Sequence, residues 1–367
     1  MTTTKNNEHK KLNVPNLRFP EFQGEWEKCK LGDLCNVLMC KRILASQTNT
    51  EEGVPFYKIG TIGNTPDAYI SQELFDEYKA KYNYPHKGEV MITCAGTVGK
   101  CVIYDGKDAY YQDSNIVWID NPSQYITNEF LYHLLAKVDW RKLNSTTIIR
   151  IYNDDLRNLK LNYPQVEEQQ KISRFLTLLD ERIATQNKII DKLQSLIKGI
   201  ADKLFQTART TKPLLEFAPN ITSGTDKSGS GTIPLYGSTG IIGTVKNASQ
   251  KGNIVLVARV GTIGTVQYIN EPCGVSDNAL IVEAGEMTKY IYHFLKTYNF
   301  ARITSGTTQP LITASSLKKA AIPTYDIESQ TRIVLCLNGL EKKLDMAKQY
   351  LSEIAVMKQY LLRQMFI

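Results

Sequence analysis

Residues 165–206 read QVEEQQKISRFLTLLDERIATQNKIIDKLQSLIKGIADKLFQ, a long and highly charged stretch without proline. From Ile172 onward its apolar residues recur in alternating steps of four and three, which places them on one seam of a coiled coil. The seam positions are Ile172, Leu176, Leu179, Ile183, Gln186, Ile190, Leu193, Ile197, Ile200 and Leu204. Only Gln186 among them is polar. The stretch therefore predicts a long helix that pairs with another helix.

The same seam recurs 161 residues later, near the C-terminal end of the sequence. Ten positions match in register without a gap, which makes chance a poor explanation. The second set is Ile333, Leu337, Leu340, Leu344, Ala347, Leu351, Ile354, Lys358, Leu361 and Met365. We therefore expect the two helices to pair with each other. The alternative is that each helix pairs with another protein.

The repeat extends well beyond the helices, as expected of a chain built from two copies of one unit. The matching segments are KLGDL (30–34) with PLLEF (213–217), VPFYKIGTIG (54–63) with IPLYGSTGIIG (233–243), GEVMITCAGTVG (88–99) with GNIVLVARVGTIG (252–264), FLYHLL (130–135) with YIYHFL (290–295), and NSTTIIRIYNDDL (144–156) with SGTTQPLITASSL (305–317). Within these segments short β-rich runs stand beside helical runs. The pattern predicts an α+β chain with a pseudo-twofold internal repeat, in which each domain is mixed α/β with short strands.

The predicted organisation has five parts. They are a disordered lead-in at residues 1–16, a first domain at 17–161, a first helix at 162–206, a second domain at 207–322 and a second helix at 323–367.

The chain path favours an antiparallel arrangement of the two helices. Each helix of about 40 residues spans about 60 Å at roughly 1.5 Å per residue. The domain between them has about 110 residues and is expected to be only about 30–35 Å across. In a parallel arrangement that domain would have to carry the chain back over the full helix length. We therefore expect an antiparallel pair with one domain at each end.

The composition excludes several classes of protein. Hydrophobic residues make up 42% of the chain, and no run of 18 apolar residues predicts a membrane span. The polar N-terminal segment lacks an apolar signal core, so we expect a cytoplasmic protein. Seven cysteines without a Cys-x-x-Cys pair indicate reduced packing residues, and we expect no metal site.

The net charge of +7 is distributed unevenly between the two domains. Residues 17–160 contain 17 Lys and Arg against 19 Asp and Glu, whereas residues 207–322 contain 11 against 6. A basic surplus suits a polyanionic partner, although many proteins with this balance bind no nucleic acid.

Several fragments that resemble catalytic motifs are incomplete. GTVGK at residues 96–100 ends like a phosphate-binding loop, but the first glycine is missing and Cys101 stands where Ser or Thr binds Mg²⁺. NPS at residues 121–123 lacks the second proline and the aromatic residue of the adenine methyltransferase loop. His133 and His293 occupy equivalent positions in apolar helical runs, which favours packing. These fragments favour a non-catalytic chain.

One enzymatic alternative remains open. Asp67 follows Pro66, and together with Glu77 and Lys79 it matches the residue types of a metal-dependent nuclease. That chemistry needs the three side chains together at strand ends. Glu77 and Lys79 instead lie in a segment predicted to be a surface helix, and the second half of the chain has no equivalent set.

An ordered set of strings resembles the specificity subunit of type I restriction-modification systems. The strings are LRFPEFQGEWEKCKLGDL (17–34), P-x-V-x-E-Q-x-x-I (164–172), IPLYGSTGIIG (233–243), VARVGTIG (257–264) and SGTTQPLI (305–312). The resemblance covers nearly the whole chain in the order domain, helix, domain, helix. The second helix entry, DIESQTRI at residues 326–333, departs from the adjacent Glu-Gln of the first.

This resemblance implies a non-catalytic subunit that binds double-stranded DNA. Each target-recognition domain would read one half of a bipartite asymmetric site, and the helices would set the gap between the halves. The implied partners are two modification subunits, which methylate adenine with S-adenosylmethionine, and restriction subunits, which translocate and cut DNA with ATP and Mg²⁺. We expect none of these cofactors in this chain. The alternative is a DNA-binding or adaptor protein that acts without a methyltransferase partner.

Polar residues in the Gly-flanked loops are the candidates for DNA contact, because major-groove readout uses Arg, Lys, Asn, Gln, Ser and Thr. The candidates are Lys58, Thr61, Thr97, Thr146, Thr147, Ser238, Thr239, Arg259, Thr262, Thr307, Thr308 and Gln309. For each of them the alternative is an ordinary polar turn residue. Arg259 is the strongest candidate, because the first domain has Cys94 or Ala95 at that place. Its alternative role is a salt bridge to a nearby carboxylate.

Overall fold

The computed structural model describes residues 12–123, 125–142, 150–306 and 310–367. The chain divides into two compact units, which are described separately below. Unit 1 comprises residues 1–184 and 352–367, and unit 2 comprises residues 185–351. Each unit contains one mixed domain and one part of each long helix.

In unit 1 the described strands and helices alternate in short elements. The strands are β1 (Glu27–Lys30), β2 (Asn36–Leu38), β3 (Val54–Tyr57), β4 (Tyr69–Ile70), β5 (Val90–Thr93), β6 (Cys101–Ile103), β7 (Tyr110–Tyr111), β8 (Ile116–Asp120) and β9 (Lys160–Tyr163). The helices are α1 (Leu31–Leu34), α2 (Gln72–Lys81), α3 (Asn128–Lys137), α4 (Asn153–Arg157) and the long α5 (Val166–Gln206), which continues into unit 2.

Unit 2 repeats this element order with two differences in its described part: a 3-10 helix (Leu214–Glu216) stands in place of α1, and α2 has no counterpart. The strands are β10 (Thr210–Pro213), β11 (Thr222–Ser223), β12 (Ile233–Tyr236), β13 (Ile241–Val245), β14 (Ile254–Ala258), β15 (Val266–Ile269), β16 (Gly274–Val275), β17 (Ala279–Val282) and β18 (Ala321–Thr324). The helices are α6 (Thr288–Thr297), α7 (Ala314–Lys318) and the long α8 (Ile327–Gln364), which continues into unit 1.

The strand order is the same in the two units. In unit 1 the sheets are β2-β8-β5-β6, β4-β3-β7 and β1-β9. In unit 2 they are β11-β17-β14-β15, β13-β12-β16 and β10-β18. The pairs β3-β7 and β12-β16 are parallel, and the other pairs are antiparallel. The internal repeat and the mixed α+β class predicted from sequence are confirmed.

Strands β5 and β14, which lie inside the larger sheets, are almost entirely apolar because both of their faces are covered. In β5, Val90 and Ile92 belong to the core that also contains α3, whereas Met91 belongs to a second core with Trp118. Side chains alternate between faces along a strand, so a continuous apolar run identifies a strand that is buried on both sides. Strand β14 in unit 2 distributes its residues between two cores in the same way.

The long helices pack against each other in antiparallel fashion within each unit. In unit 1, Asp180 of α5 forms an ion pair with Lys358 of α8. In unit 2, the side-chain amide of Gln186 donates to the carbonyl oxygen of Ala347 at 3.0 Å. Within unit 2, Ala201 and Phe205 share a core with Ile333 and Leu337. Residue numbers therefore fall along α8 as they rise along α5, and the predicted antiparallel pairing is confirmed. All twenty seam positions are buried or half-buried.

The first and last strands of each domain pair with each other. Strand β1 pairs with β9 in unit 1, and β10 pairs with β18 in unit 2. We call each of these two-stranded sheets a clasp. The chain therefore enters and leaves each domain at one place, next to a long helix.

Buried side chains connect the start of α5 to the domain. The Gln169 amide donates to the carbonyl oxygens of Pro164 and Tyr125 at 2.8 and 2.7 Å. Its neighbour Glu168 accepts two hydrogen bonds from Arg18, at 2.8 and 2.7 Å. Both Glu168 and Gln169 are fully buried, so this connection is shielded from solvent.

Helix α8 keeps part of this connection despite its different sequence. Gln330, the counterpart of Gln169, donates to the carbonyl oxygen of Tyr325 at 2.7 Å. Ser329 stands where α5 has Glu168, and its main-chain N–H donates to the Asp326 carboxylate at 2.8 Å. Asp326 thus caps the helix where the adjacent Glu-Gln is missing. No helix within the described ranges is both long and apolar enough to cross a membrane.

Candidate functional site

Three turns lie together at one end of the two sheets in unit 1. Turn 1 (58–63) follows β3, turn 2 (94–100) follows β5, and turn 3 (112–115) precedes β8. Unit 2 has equivalent turns, which we call turn 1′ (237–240), turn 2′ (259–265) and turn 3′ (276–278). Most of the described candidate residues lie in these turns.

Hydrogen bonds hold the three turns of unit 1 together. The Cys94 N–H donates to the carbonyl oxygen of Asn115 at 2.7 Å, which joins turn 2 to turn 3. The Thr97 hydroxyl donates to the carbonyl oxygen of Ile59 at 3.4 Å, which joins turn 2 to turn 1. Turn 1 and turn 2 therefore present their polar side chains on one continuous surface.

Unit 2 joins its turns with one equivalent contact and one different contact. The Arg259 N–H donates to the carbonyl oxygen of Asn278 at 3.0 Å, as Cys94 does to Asn115. The Gln267 amide donates to the carbonyl oxygen of Gly237 at 3.0 Å, which connects β15 to turn 1′. The two units therefore share the backbone arrangement of turns 2 and 2′ and differ in the side chains that it carries and in the first turn.

Glycine is required at the end of turn 2 in both units. Gly99 and Gly264 have φ values of +82° and +80°, which a residue with a Cβ rarely adopts. A Cβ would also lie 2.1 Å from the Trp140 ring in unit 1 and 2.6 Å from the Phe300 ring in unit 2. The positive φ and this close approach explain the second glycine of the Gly-x-x-Gly spacing in both halves.

The structure brings three of the first-half candidates together. The Thr61 hydroxyl accepts a hydrogen bond from the Lys58 N–H at 3.0 Å, and the Lys58 ammonium lies 3.1 Å from the Asp67 carboxylate. Thr97 is exposed on the adjacent turn 2. In unit 2, Thr239 is exposed and Ser238 is half-buried on turn 1′.

Thr262 is exposed on turn 2′. Five candidates lie outside the described residues: Thr146, Thr147, Thr307, Thr308 and Gln309.

Arg259 occupies the same backbone position as Cys94. Ile312 N–H donates to the Arg259 carbonyl oxygen at 3.0 Å, and Ile151 N–H donates to the Cys94 carbonyl oxygen at 2.9 Å. The sequence left Cys94 and Ala95 as possible counterparts of Arg259, and these hydrogen bonds identify Cys94. The Nε atom of Arg259 is buried and has no hydrogen-bond partner among the described residues. Within that part of the chain Arg259 forms no salt bridge to a carboxylate either.

Two arginines that the sequence did not single out lie beside turn 3. The Arg150 Nη2 donates to the carbonyl oxygen of Ser114 at 3.1 Å. The Arg42 Nε donates to the Asp113 carboxylate at 2.9 Å. Neither arginine belongs to a Gly-flanked loop, so the pattern used to select candidates could not find them.

The residues of the nuclease alternative have different partners. Asp67 pairs with Lys58, Lys79 pairs with Asp108 at 2.8 Å, and the Glu77 carboxylate lies 3.7 Å from the Lys81 ammonium. Glu77 and Lys79 both belong to α2, in agreement with the predicted surface helix. Across the described residues, no three His, Cys, Asp or Glu side chains are grouped to hold a metal ion.

Burial governs the pKa values of Cys94, His133 and His293. All seven cysteines are free, and burial raises the pKa of the Cys94 thiol to about 12 against the lowering influence of Arg150. Burial also lowers the pKa of His133 to about 4. Its counterpart His293 has a pKa that is lowered for the same reason. These groups are neutral at pH 7, which fits packing roles.

A family model described as the type I restriction modification DNA specificity domain matches the chain twice. The matched residues are 23–195 and 211–356. The two matches follow the internal repeat, and together they cover most of the chain.

Two curated relatives match about half of the chain. A Haemophilus influenzae protein named as the type I restriction enzyme specificity subunit S.HindORF215P is 47% identical over 169 residues, which are 46% of this chain and 43% of the relative. A Methanocaldococcus jannaschii protein named as the type I restriction enzyme MjaX specificity subunit is 26% identical over 212 residues, which are 54% of this chain and 49% of the relative. The chain thus spans about half the length of the curated relatives it matches.

The fold is similar to a solved structure over nearly its whole length. The crystal structure of the type I restriction-modification system S subunit from M. genitalium matches with a TM-score of 0.67 and 19% identity. The match covers 96% of this chain and 99% of that chain. At this identity the likeness concerns the fold.

Proposed function

Because the chain belongs to the family of type I restriction modification DNA specificity domains, we propose that it is the DNA-recognition subunit of a type I restriction-modification complex. In this proposal each unit reads one half of a bipartite asymmetric site in double-stranded DNA. The paired helices set the unread gap, and the subunit directs adenine methylation or restriction by its partners. The chain itself performs no catalysis.

The observation that carries this proposal is the duplicated turn cluster. Turns 2 and 2′ have the same hydrogen-bonded backbone and are joined to turns 3 and 3′ by equivalent main-chain hydrogen bonds, but their side chains differ, as at Cys94 and Arg259. A shared backbone with divergent polar side chains suits two modules that bind the same kind of ligand and read different sequences. Specific base contacts depend on the side chain, whereas phosphate contacts mainly position the protein.

The charge distribution adds weaker support. Residues 207–322 carry 11 Lys and Arg against 6 Asp and Glu, so the second domain has a basic surplus. DNA binding draws much of its affinity from phosphate neutralisation. In the first domain the positive and negative charges nearly balance. DNA binding by that domain is therefore expected to depend more on individual contacts such as those of Lys58 and Arg150.

The long helices offer surfaces for protein partners. In unit 1, Val356, Met357 and Tyr360 are exposed on α8, although the seam beside them is already buried. In unit 2, Leu335 and Met346 are exposed on the same helix. Apolar groups exposed in this way suit protein contact. We assign these surfaces to two modification subunits, which would supply S-adenosylmethionine, while restriction subunits would supply ATP and Mg²⁺ chemistry in the cytoplasm.

The proposal is tested by mapping N6-methyladenine across the host genome with and without the gene. We expect a bipartite motif with a fixed unread gap to lose methylation when the gene is deleted and to regain it on complementation. The matched control is complementation with a chain that ends at Lys342, which lacks the α8 residues packed in unit 1. Unchanged methylation in the deletion strain would refute the proposal.

A DNA-binding protein without a methyltransferase partner is the alternative. Co-purification decides between the two, because the proposed function requires a modification subunit at two copies per chain. Specific DNA binding by a chain that retains no such subunit would favour the alternative.

A further inference from the structure

Two positions that lie side by side in the fold carry different residues in the two units. At each position one unit has an arginine and the other has an uncharged residue. The first position is held by Cys94 in unit 1 and by Arg259 in unit 2, which make equivalent main-chain hydrogen bonds. The second position precedes Ile151 in unit 1 and Ile312 in unit 2, and it is held by Arg150 and Leu311 respectively. Each unit therefore has one arginine and one uncharged residue at this pair of positions.

The two positions are neighbours in space because Ile151 and Ile312 donate directly to the carbonyl oxygens of Cys94 and Arg259, at 2.9 and 3.0 Å. The chain segment that carries Arg150 therefore runs alongside turn 2. The Arg150 guanidinium is anchored to turn 3 by its 3.1 Å hydrogen bond to the Ser114 carbonyl oxygen. It is also close enough to oppose the rise in the pKa of the Cys94 thiol.

We propose that Arg150 is the base-reading arginine of unit 1 and the functional counterpart of Arg259 in unit 2, each contacting a guanine in the half-site that its unit reads. This inference rests on the proposed function and names a contact residue that the sequence pattern does not reveal. A guanidinium presents two parallel N–H donors that match the O6 and N7 acceptors of guanine in the major groove. Serine and threonine have one hydroxyl donor each and cannot make that bidentate contact.

The arginines near the turns differ in the hydrogen-bond partners that their guanidinium groups have. Arg42 is close to turn 3, but its Nε is engaged by the Asp113 carboxylate at 2.9 Å. Arg259 has a buried Nε without a partner among the described residues, so its guanidinium has donor capacity that the described protein does not satisfy. Arg150 uses Nη2 on the main-chain oxygen of Ser114, which directs its side chain towards turn 3.

The experiment begins with selection of a randomised duplex library on the full chain, together with any subunit that it retains on purification. Binding is then measured on the selected duplex and on duplexes in which single guanines are replaced by 7-deazaguanine, which lacks the N7 acceptor. For the wild-type chain we expect at least one guanine in each half-site whose replacement weakens binding. A good bidentate contact corresponds to a loss of about 5- to 150-fold.

The variants are Arg150→Ala and Arg259→Ala, with Arg157→Ala and Arg302→Ala as matched controls that remove an exposed arginine of the same unit. Arg150→Ala should weaken binding to the natural duplex and abolish the effect of 7-deazaguanine in one half-site only. Arg259→Ala should do the same in the other half-site. The control variants should keep both effects, as expected when residue and base are uncoupled.

A purely structural role for Arg150 gives a different result. If the guanidinium only stabilises Ser114, whose φ is +52°, Arg150→Ala should lower the melting temperature and leave the 7-deazaguanine effect intact. That result, with a bipartite sequence selected by the wild type, would overturn this inference and spare the proposed function. Failure of the wild type to select a bipartite sequence would overturn both.

Discussion

Gln186 donates a hydrogen bond to the main-chain oxygen of Ala347, the residue that stands 161 positions later and is its own counterpart in the repeat. In an antiparallel pair of repeated helices, a residue meets its counterpart only at the midpoint of the pairing. Both residues are buried, and the pair combines a long polar side chain with a small one. At the midpoint, an exact repeat would place the same residue on both helices. This chain instead has Gln186 on α5 and Ala347 on α8.

Replacing Gln186 tests what this polar layer contributes. Gln186→Ala should destabilise the protein by about 1–2 kcal/mol, because it removes a buried hydrogen bond and packing volume. Gln186→Leu should preserve or raise stability, because a polar residue in a coiled-coil seam specifies register at a cost in stability. Thermal unfolding of the two variants checks this, and equal destabilisation by both would contradict it.

The seam can be tested with matched pairs of leucines. Leu176 and Leu337 are equivalent in the repeat and fully buried, so Leu→Ala at either should cost about 2–5 kcal/mol. Leu178 and Leu335 are exposed on the same helices, so Leu→Ala there should change stability by less than about 0.5 kcal/mol. Chemical denaturation measures all four variants. A similar loss at buried and exposed positions would argue against the seam.

The helices and the repeat could be predicted because a regular apolar pattern occurs twice at one offset. Their antiparallel direction followed from chain length and helix rise. The turn clusters were only partly predictable. Turn residues such as Thr97 stand out beside glycines, whereas Arg150 reaches turn 3 through a tertiary contact that no local pattern encodes. The sequence also left two counterparts for Arg259, and main-chain hydrogen bonds were needed to identify Cys94.

Lengthening both helices should increase the number of unread base pairs between the half-sites and leave the half-site sequences unchanged. One heptad inserted after Ala184 and another after Leu351 would add about 10 Å of helix, which corresponds to about three base pairs. These points lie where the chain passes from one unit to the other, so each unit keeps its own helix contacts. Methylation mapping checks this prediction. A heptad added to α5 alone should abolish assembly and serves as the control.

Acid should destabilise unit 1 through His133. The pKa of this buried imidazole is about 4, below its usual value of 6.5, so between these pH values the unfolded chain binds a proton that the folded chain does not. The free energy of unfolding should therefore fall as pH drops from about 6.5 to 4, by on the order of 3 kcal/mol. His133→Gln should reduce this slope in denaturation curves. An unchanged slope in His133→Gln would contradict the assignment.

Exchange of the second domain should change one half-site only. The clasp formed by β10 and β18 sets the boundaries, so residues 210–324 are the segment to replace with that of a relative. Because both ends of the segment lie in one paired sheet, the flanking helices need not move. We expect one half of the methylated motif to change and the other to persist. A change in both halves would show that the units do not read independently.

The C-terminal end of α8 contributes to the core of unit 1. The Phe366 ring lies 5.0 Å from the Phe130 ring and 6.4 Å from the Trp26 ring, and the Leu17 N–H donates to the carbonyl oxygen of Gln364 at 2.9 Å. Unit 2 is one continuous segment and can fold as soon as residue 351 leaves the ribosome. Unit 1, which is synthesised first, must wait for the last residues of this sequence. A chain that stops before residue 352 therefore lacks the aromatic and main-chain contacts that complete the core of unit 1.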